Sequence, residues 1–350
     1  EYFLNIESRT RQAQRLVPKD HLVAWEQFRL PISRLQMPSN PENLPPLQLH
    51  ENNDFIQVTG VEFEVIFQRD KGYLSQYTYK NVHLLDSGLE PHFWRAPNDN
   101  DLGNGMPRRT GLWRHAGNEL SLQALNGTLD KNVATIEVTF GHDNTGTVLE
   151  THYSIYGNGL VSINQQLIPS GKKVPEIPRF GMKMTLPGDF SEVEWFGRGP
   201  HESYWDRKTS AAVGHYSGTV WEQTFPYIRP QETGNKTDVR WMALKGDSLG
   251  LMAIGEPTFD GSVHQYPYAD LDYNPKSQRH GKLDLRPKDQ VDWLIDYRQM
   301  GVGGDNSWGA RPHDEYTLPV DTIKYELQFG IIPFDKGTDL MRLSKISIER

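Results

Sequence analysis

Apolar and polar residues alternate with a period of two along most of this chain, and that alternation limits its possible folds more than any other feature. Val61-Glu62-Phe63-Glu64-Val65-Ile66-Phe67 leads through Lys71-Gly72 into a second such run at 73–79. Residues 133–140 alternate cleanly, and 148–155 turn at Gly157-Asn158-Gly159 into 160–168, a strong hairpin signal. Successive side chains of a strand point to opposite faces, so each run buries one face and wets the other. The pattern recurs at 182–186, 250–254, 291–297 and 323–332, whereas helical spacing is scarce. Only the stretch 109–116 offers one or two turns of helix. Together these runs predict an all-β protein, a large antiparallel sandwich.

Composition agrees and removes several function classes. Aromatic residues make up 11%, with 31 Gly and 23 Pro, a mixture that favours strands and turns. A net charge of −8 argues against nucleic acid or an anionic membrane as partner. Without cysteine there is no disulfide, thiolate nucleophile or Cys-ligated zinc, and the redox compartment stays undetermined. No apolar stretch approaches the roughly 18 residues of a membrane-spanning helix. Cytoplasm and periplasm both remain open.

Residues 1–34 hold two strand-like runs, 2–10 and 22–30, around a polar turn at Pro18-Lys19-Asp20. A lone hairpin is marginally stable in water. These residues are therefore expected to close a sandwich whose other strands belong to a longer protein, an expectation helped by a first strand that starts at once with Glu1-Tyr2-Phe3-Leu4-Asn5-Ile6. Residues 35–53 carry Pro38, Pro41, Pro45 and Pro46 among polar side chains and are expected as a semi-rigid linker. Residues 54–350 form the main sandwich domain.

Four segments stand outside the strand pattern and concentrate aromatics, glycine and short polar groups. They are Phe93-Trp94-Arg95-Ala96-Pro97-Asn98-Asp99-Asn100-Asp101, Trp195-Phe196-Gly197-Arg198-Gly199-Pro200-His201-Glu202-Ser203-Tyr204, Pro226-Tyr227-Ile228-Arg229-Pro230-Gln231-Glu232-Thr233-Gly234 and Met300-Gly301-Val302-Gly303-Gly304-Asp305-Asn306-Ser307-Trp308. A sugar needs this chemistry: an aromatic face for its apolar side, and planar donors and acceptors for its hydroxyls. Arg95, Asn98, Asp99, Asn100, Asp101, Arg198, His201, Glu202, Asp305 and Asn306 are the candidates for lining such a site.

Each segment also has a purely structural reading. Asn and Asp cap turns. Arg198, Glu202, Arg229 and Glu232 pair as buried ions that tie loops together. Trp195, Trp205, Trp221 and Trp241 flank strand-like runs and belong to a core. Trp308 differs, because the run before it is too polar and glycine-rich for a core, so its indole is expected to face a ligand. No HExxH or GxSxG motif occurs, and the glycines at 301–304 lack the Lys-Ser/Thr of a phosphate loop.

In this order, the four segments resemble the C-terminal domain of the large β-galactosidases of glycoside hydrolase family 2, and residues 95–101, 197–204 and 300–308 are each close to that family's pattern. The resemblance runs from about residue 54 to 332, and Ala24-Trp25-Glu26-Gln27-Phe28 resembles the end of the immunoglobulin-like domain before it. It implies a galactose-mutarotase-like antiparallel supersandwich preceded by a remnant of an immunoglobulin-like sandwich. It also implies that Trp308 and Gly103 contact substrate, a galactoside. A mobile loop of the family corresponds to residues 103–109, where Asn104-Gly105-Met106-Pro107 departs from the usual residues and only Gly103 carries over. Both catalytic carboxyl groups, with the magnesium and sodium ligands, would lie on a barrel outside this sequence. No catalytic residue, cofactor or metal is thus expected here, and the chain alone should be inactive. The implied partners are the galactoside, the barrel and the immunoglobulin-like domains, within a homo-oligomeric parent.

Two rivals stay open. An aldose 1-epimerase would need a His acid and a Glu base, with His201 and Glu202 or His264 and Glu232 as the available pairs. A pure scaffold would bury Trp308.

Overall fold

A computed structural model describes residues 1–32, 40–272, 284–306 and 308–346; Pro38 and Ser307 lie outside the described residues. The chain divides into two compact units, Glu1–Ser39 with Lys345–Arg350, and Asn40–Ser344. Among the described residues, the strands form a two-stranded ribbon, a five-stranded sheet and a twelve-stranded sheet, every pairing antiparallel. The all-β expectation holds.

The first unit is the ribbon of β1 (Tyr2–Arg9) and β2 (Leu22–Leu30). Tyr2 faces Leu30 and Leu4 faces Phe28 across it. Its turn is fastened by Thr10, whose hydroxyl donates to the Pro18 carbonyl (2.7 Å) and accepts from the His21 amide (3.0 Å).

In the second unit, β3 (Gln48–Glu51), β4 (Phe55–Thr59), β5 (Phe63–Gln68), β6 (Leu74–Tyr79) and β7 (Val82–His83) make the five-stranded meander. Strand β3 falls inside the stretch expected as linker. Its backbone pairs with β4 from Gln48 to Glu51, because the prolines stop at Pro46 and leave those amides free to donate. β5 alternates buried and half-buried residues throughout, as its sequence demands.

The large sheet begins with β8 (Ser87–His92), followed by β9 (Ser121–Asp130), β10 (Val133–His142), β11 (Thr147–Tyr156) and β12 (Val161–Ile168). Next come β13 (Arg179–Pro187), β14 (Glu192–Gly199), β15 (Ala212–Thr219) and β16 (Lys236–Lys245). β17 (Leu249–His264), β18 (Gln290–Gln299) and β19 (Tyr325–Asp335) complete it. Its main path runs β15-β14-β16-β17-β19-β12-β11-β10-β9, with a side limb β17-β18-β13-β8. Strand β17 makes the fork. Its first half pairs with β19 and its second with β18, and the change of partner falls at Glu256-Pro257-Thr258, where a proline cannot donate to a ladder. Trp195 through Gly199, expected outside the strands, lie within β14, paired with β15. The glycines there hid the period of two.

The two sheets of this unit share one core. The rings of Phe67 and Tyr153 meet edge-on at 4.9 Å between centroids, and the Tyr77 hydroxyl donates to the Gly159 carbonyl. Gly127 of β9 lets Ile56 and Ile136 close over it, since a Cβ there would stand 3.1 and 3.2 Å from them. Trp195 and Trp241 are buried as expected, while Trp205 and Trp221 are only half-buried. Fully burying one large apolar side chain contributes roughly 1.5–3 kcal/mol, so each ring sealed between the sheets stabilises this unit.

Candidate functional site

The segment after β8 enters the core before it turns polar, and that order explains the local structure. Phe93, Trp94 and Ala96 are buried, and they carry Arg95 inward with them. Arg95 and Asp101 are both sealed from water and form a bidentate pair at 2.6 and 2.8 Å. Burial raises the Asp101 carboxyl pKa, and the Arg95 guanidinium pulls it back. Asp101 sits at the third position of a short helix, α1 (Asp99–Gly103), whose N-cap is Asn98. The Asn98 carbonyl accepts from the Asp101 amide (2.8 Å), and the Asp101 carboxylate accepts from the Asn98 amide (3.1 Å), a reciprocal capping box.

This capped helix holds the glycine-rich loop. Arg95 also donates to the carbonyls of Met300 and of Gly301 (3.2 Å). The side-chain amides of Asn98 and Asn100 both donate to the Val302 carbonyl, at 3.1 and 3.2 Å. From the other side Asp206 accepts from the amides of Val302 (3.0 Å) and Gly303 (2.8 Å). The loop leaves this grip at Gly304, turns where Asn306 accepts from the Trp308 amide (2.9 Å), and presents an indole 90% exposed. Gly309 follows with φ +109°, and a Cβ there would meet the Gly103 carbonyl at 2.8 Å. Gly103 therefore supports the Trp308 turn through its backbone.

The remaining candidates separate. Asp305 is exposed and pairs with His313 at 2.8 Å. Residues 103–109, expected as a loop, are mostly helical: after α1 comes α2 (Met106–Arg109), with Met106 buried and Arg109 bonded to Glu176 (2.8 Å) and to the Asn104 carbonyl (2.9 Å). Arg198 is half-buried, pairs with Asp238 at 2.5 Å and donates to the carbonyls of Lys208 and Ala211. It ties a loop, as its structural reading held.

Glu202 occupies a second polar centre. It accepts from Arg207 (2.7 Å), the Gly234 amide (2.8 Å), Thr233 (3.2 Å) and the Tyr227 hydroxyl. Burial and the Glu202 charge push the Tyr227 phenol up to about 12, keeping it a donor. Glu232 lies deeper, against Arg179 (3.1 Å), Tyr268 (2.5 Å) and Gln299 (3.2 Å). Arg179 is shared with buried Asp296 at 3.1 Å. An open cleft of about 150 Å³ lies above, lined by Asn98, Asp99, Asn100, Tyr204, Arg207, Tyr227, Gln231, Glu232 and Val302. Arg229 pairs with Asp99 at 2.5 Å, exposed at the surface, where a buried pair was expected.

Neither pair offered for an epimerase is built for that chemistry. His201 is exposed and bonds Ser210 (3.0 Å), while Glu202 is saturated by its own donors. His264 is sealed, and burial, reinforced by Arg179 and Lys236, pulls its pKa down to about 3, so near neutral pH it is a neutral imidazole and not an imidazolium acid. Among the described residues no group of three or more His, Asp or Glu side chains is placed to hold a metal ion.

Sequence reasoning missed Asp206, Arg179, Asp296 and Tyr268. Asp206 lies two residues past the second motif, a proximity that would have pointed to it. The others join only through strand pairing remote in sequence, and nothing local marks them.

A family model described as the β-galactosidase small chain matches residues 59–331. The chain belongs to that family. Among curated relatives, a β-galactosidase of Priestia megaterium is 39% identical over 319 residues, covering 91% of this chain and 30% of the relative. One of Vibrio cholerae is 30% identical over 349 residues, covering 95% and 32%. The chain thus spans about a third of the length of the β-galactosidases it matches. Among solved structures, a galactose 1-epimerase of Lactobacillus acidophilus aligns over 84% of this chain and 99% of its own, with 10% identity and a TM-score of 0.46. A putative aldose 1-epimerase of Escherichia coli aligns over 83% and 99%, with 8% identity and a TM-score of 0.45.

Proposed function

We propose that this small-chain domain contacts substrate in a retaining β-galactosidase that cleaves terminal β-galactosides such as lactose. The observation that carries the reading is Trp308, an indole 90% exposed on a loop whose root is fixed by Arg95, Asp101, Asn98, Asn100 and Asp206. A scaffold would have spent that indole in a core. Here it is an exposed aromatic face on a rigid base, suited to stack against the apolar face of a pyranose.

The chemistry itself belongs elsewhere. Retaining hydrolysis needs two carboxyl groups about 5–5.5 Å apart, flanking the scissile bond with one free to protonate it. Glu202 and Glu232 are each held by several donors, and Asp101 is sealed against Arg95. We therefore assign the acid and the nucleophile, with magnesium and sodium ligation, to a catalytic barrel on the remainder of the parent enzyme. The β1–β2 ribbon is the end of the immunoglobulin-like domain that leads from it. The 350-residue chain should show no turnover of nitrophenyl β-galactoside, and no acceleration of galactose anomer exchange. Turnover of the nitrophenyl substrate by the chain alone would sink the assignment of the carboxylates.

A further inference from the structure

Strands β17 and β18 end their pairing on two acids. We infer that Asp260 and Asp296 share a proton that closes this end of the seam, and that its release at alkaline pH loosens the root of the 300–308 loop. The device works whether or not Trp308 meets substrate.

Strand register brings the two side chains together. Asp260 and Asp296 are direct partners across the antiparallel strands, and theirs is the last rung of a ladder that begins at His264 and Asp292. Opposed residues project to the same face with Cβ atoms about 4.5–5.5 Å apart, where two like charges destabilise the pairing. Both side chains are buried, that of Asp296 completely. On its other side Asp296 pairs with Gly181 of β13, where a Cβ would collide with the Asp296 carboxylate.

The surrounding charges do not compensate two anions. Asp296 faces one cation, Arg179, and two further acids, Asp260 and Glu232. Arg179 stands 3.1 Å from Asp296 but donates to Glu232, and neither oxygen of Asp296 receives a hydrogen bond among the described residues. Asp260 accepts from the Asp238 amide at 3.3 Å. The cations that face Asp260 are engaged elsewhere, Lys208 with Asp238 at 2.9 Å and Arg298 over the Trp205 ring at 4.6 Å. Two buried carboxyls beside one shared guanidinium therefore resist full ionisation. A proton kept between them supplies the donor that Asp296 lacks and removes the repulsion. Burial raises both groups, Asp260 to about 7 and Asp296 well above the ordinary carboxylate range against the pull of Arg179.

The place of this rung turns a local charge into movement. Beyond it, among the described residues, β18 pairs with β13 alone, and the register slips between Phe180 and Gly181 so that Tyr297 is the extra residue of a bulge. Gln299 and Met300 follow at once. Gln299 donates to Asn235 (3.0 Å), and the Met300 amide donates to the Pro178 carbonyl (3.0 Å). A second charge at the last rung drives β18 from β17 where the ladder is already interrupted, and the chain that takes up the shift is the loop root at 300–303.

The test is an NMR titration of the 350-residue chain labelled with carbon-13 at the aspartate carboxyls, with Asp260→Asn and Asp296→Asn giving the assignments. The pair is expected to keep a proton at about pH 6 and to release it above neutral pH. The Val302 and Gly303 amide signals should move in that same step. In Asp260→Asn the remaining carboxyl should ionise at least about one pH unit lower, the tenfold effect of losing a strongly coupled neighbour, and the Val302 and Gly303 step should vanish. The His313 imidazole, raised by its bond to Asp305, titrates in the same loop. A Val302 and Gly303 step that survives in Asp260→Asn belongs to His313 and overturns the coupling to the loop. No aspartate carboxyl still protonated at about pH 6, or a titration of either acid unaltered by replacement of the other, overturns the shared proton. The first of these results is read from the unsubstituted chain, so it decides the matter even where a variant fails to fold.

Discussion

The segment 93–101 and the loop 300–308 both set tryptophan near Asn and Asp, yet they use these residues in opposite directions. In the first, Arg95 and Asp101 point inward and are consumed by each other and by backbone carbonyls. In the second, Asp305 and Trp308 are exposed, and Asp206, Asn98 and Asn100 grip the loop by its backbone. The difference follows from what precedes each. Phe93 and Trp94 pull their segment into the core, whereas the run of glycines after Met300 has no side chain to anchor it and must be gripped by others. Motif residues are therefore divided between builders and presenters, and motif membership alone does not say which is which.

The largest effect should come from breaking the buried side. Asp101→Ala strands the Arg95 guanidinium in the core and should cost about 3–5 kcal/mol, read as a lower urea midpoint. Asp260 sharpens the same point through pH. It faces Asp296 across β17 and β18, and burial, with Asp238 adding to it, raises its pKa to about 7. A raised acid stabilises the fold while protonated. Its contribution is complete below the unfolded value of about 3.9 and is lost as pH climbs through the folded value. Asp260→Asn should thus match the parent chain near pH 4, exceed its stability by a few kcal/mol near pH 8, and flatten the thermal-melting profile between.

On the presenting side the effects should be small. Trp308→Ala should change unfolding free energy by no more than about 0.5 kcal/mol, because the indole covers little. Asp305→Asn should leave the melt unaltered while the His313 NMR titration falls, since hydrogen bonding to Asp305 is what raises that imidazole. A large loss of stability from either change would erase the distinction between the two segments.

Much of this fold was legible because period-two runs survive translation into strands: β10, β11 and β12 fall where the alternation placed them. β14 was not legible, since Gly197 and Gly199 interrupt its alternation, nor was β3, masked by the prolines just before it. At the site, the exposure of Trp308 followed from the polarity of its loop. The inward turn of Arg95 and Asp101 did not, because a capping Asp and a ligand-facing Asp look alike until the core beneath them is known.

Whether Trp308 is a substrate platform rather than a structural residue is tested most directly by steady-state kinetics of the proposed parent β-galactosidase carrying Trp308→Ala. Stacking made equally in the bound substrate and the transition state raises KM and leaves kcat nearly unchanged when removed. Trp308→Ala should therefore raise KM for lactose several-fold and leave the melting temperature unaltered. A large fall in kcat at constant KM, or no kinetic change at all, would contradict it.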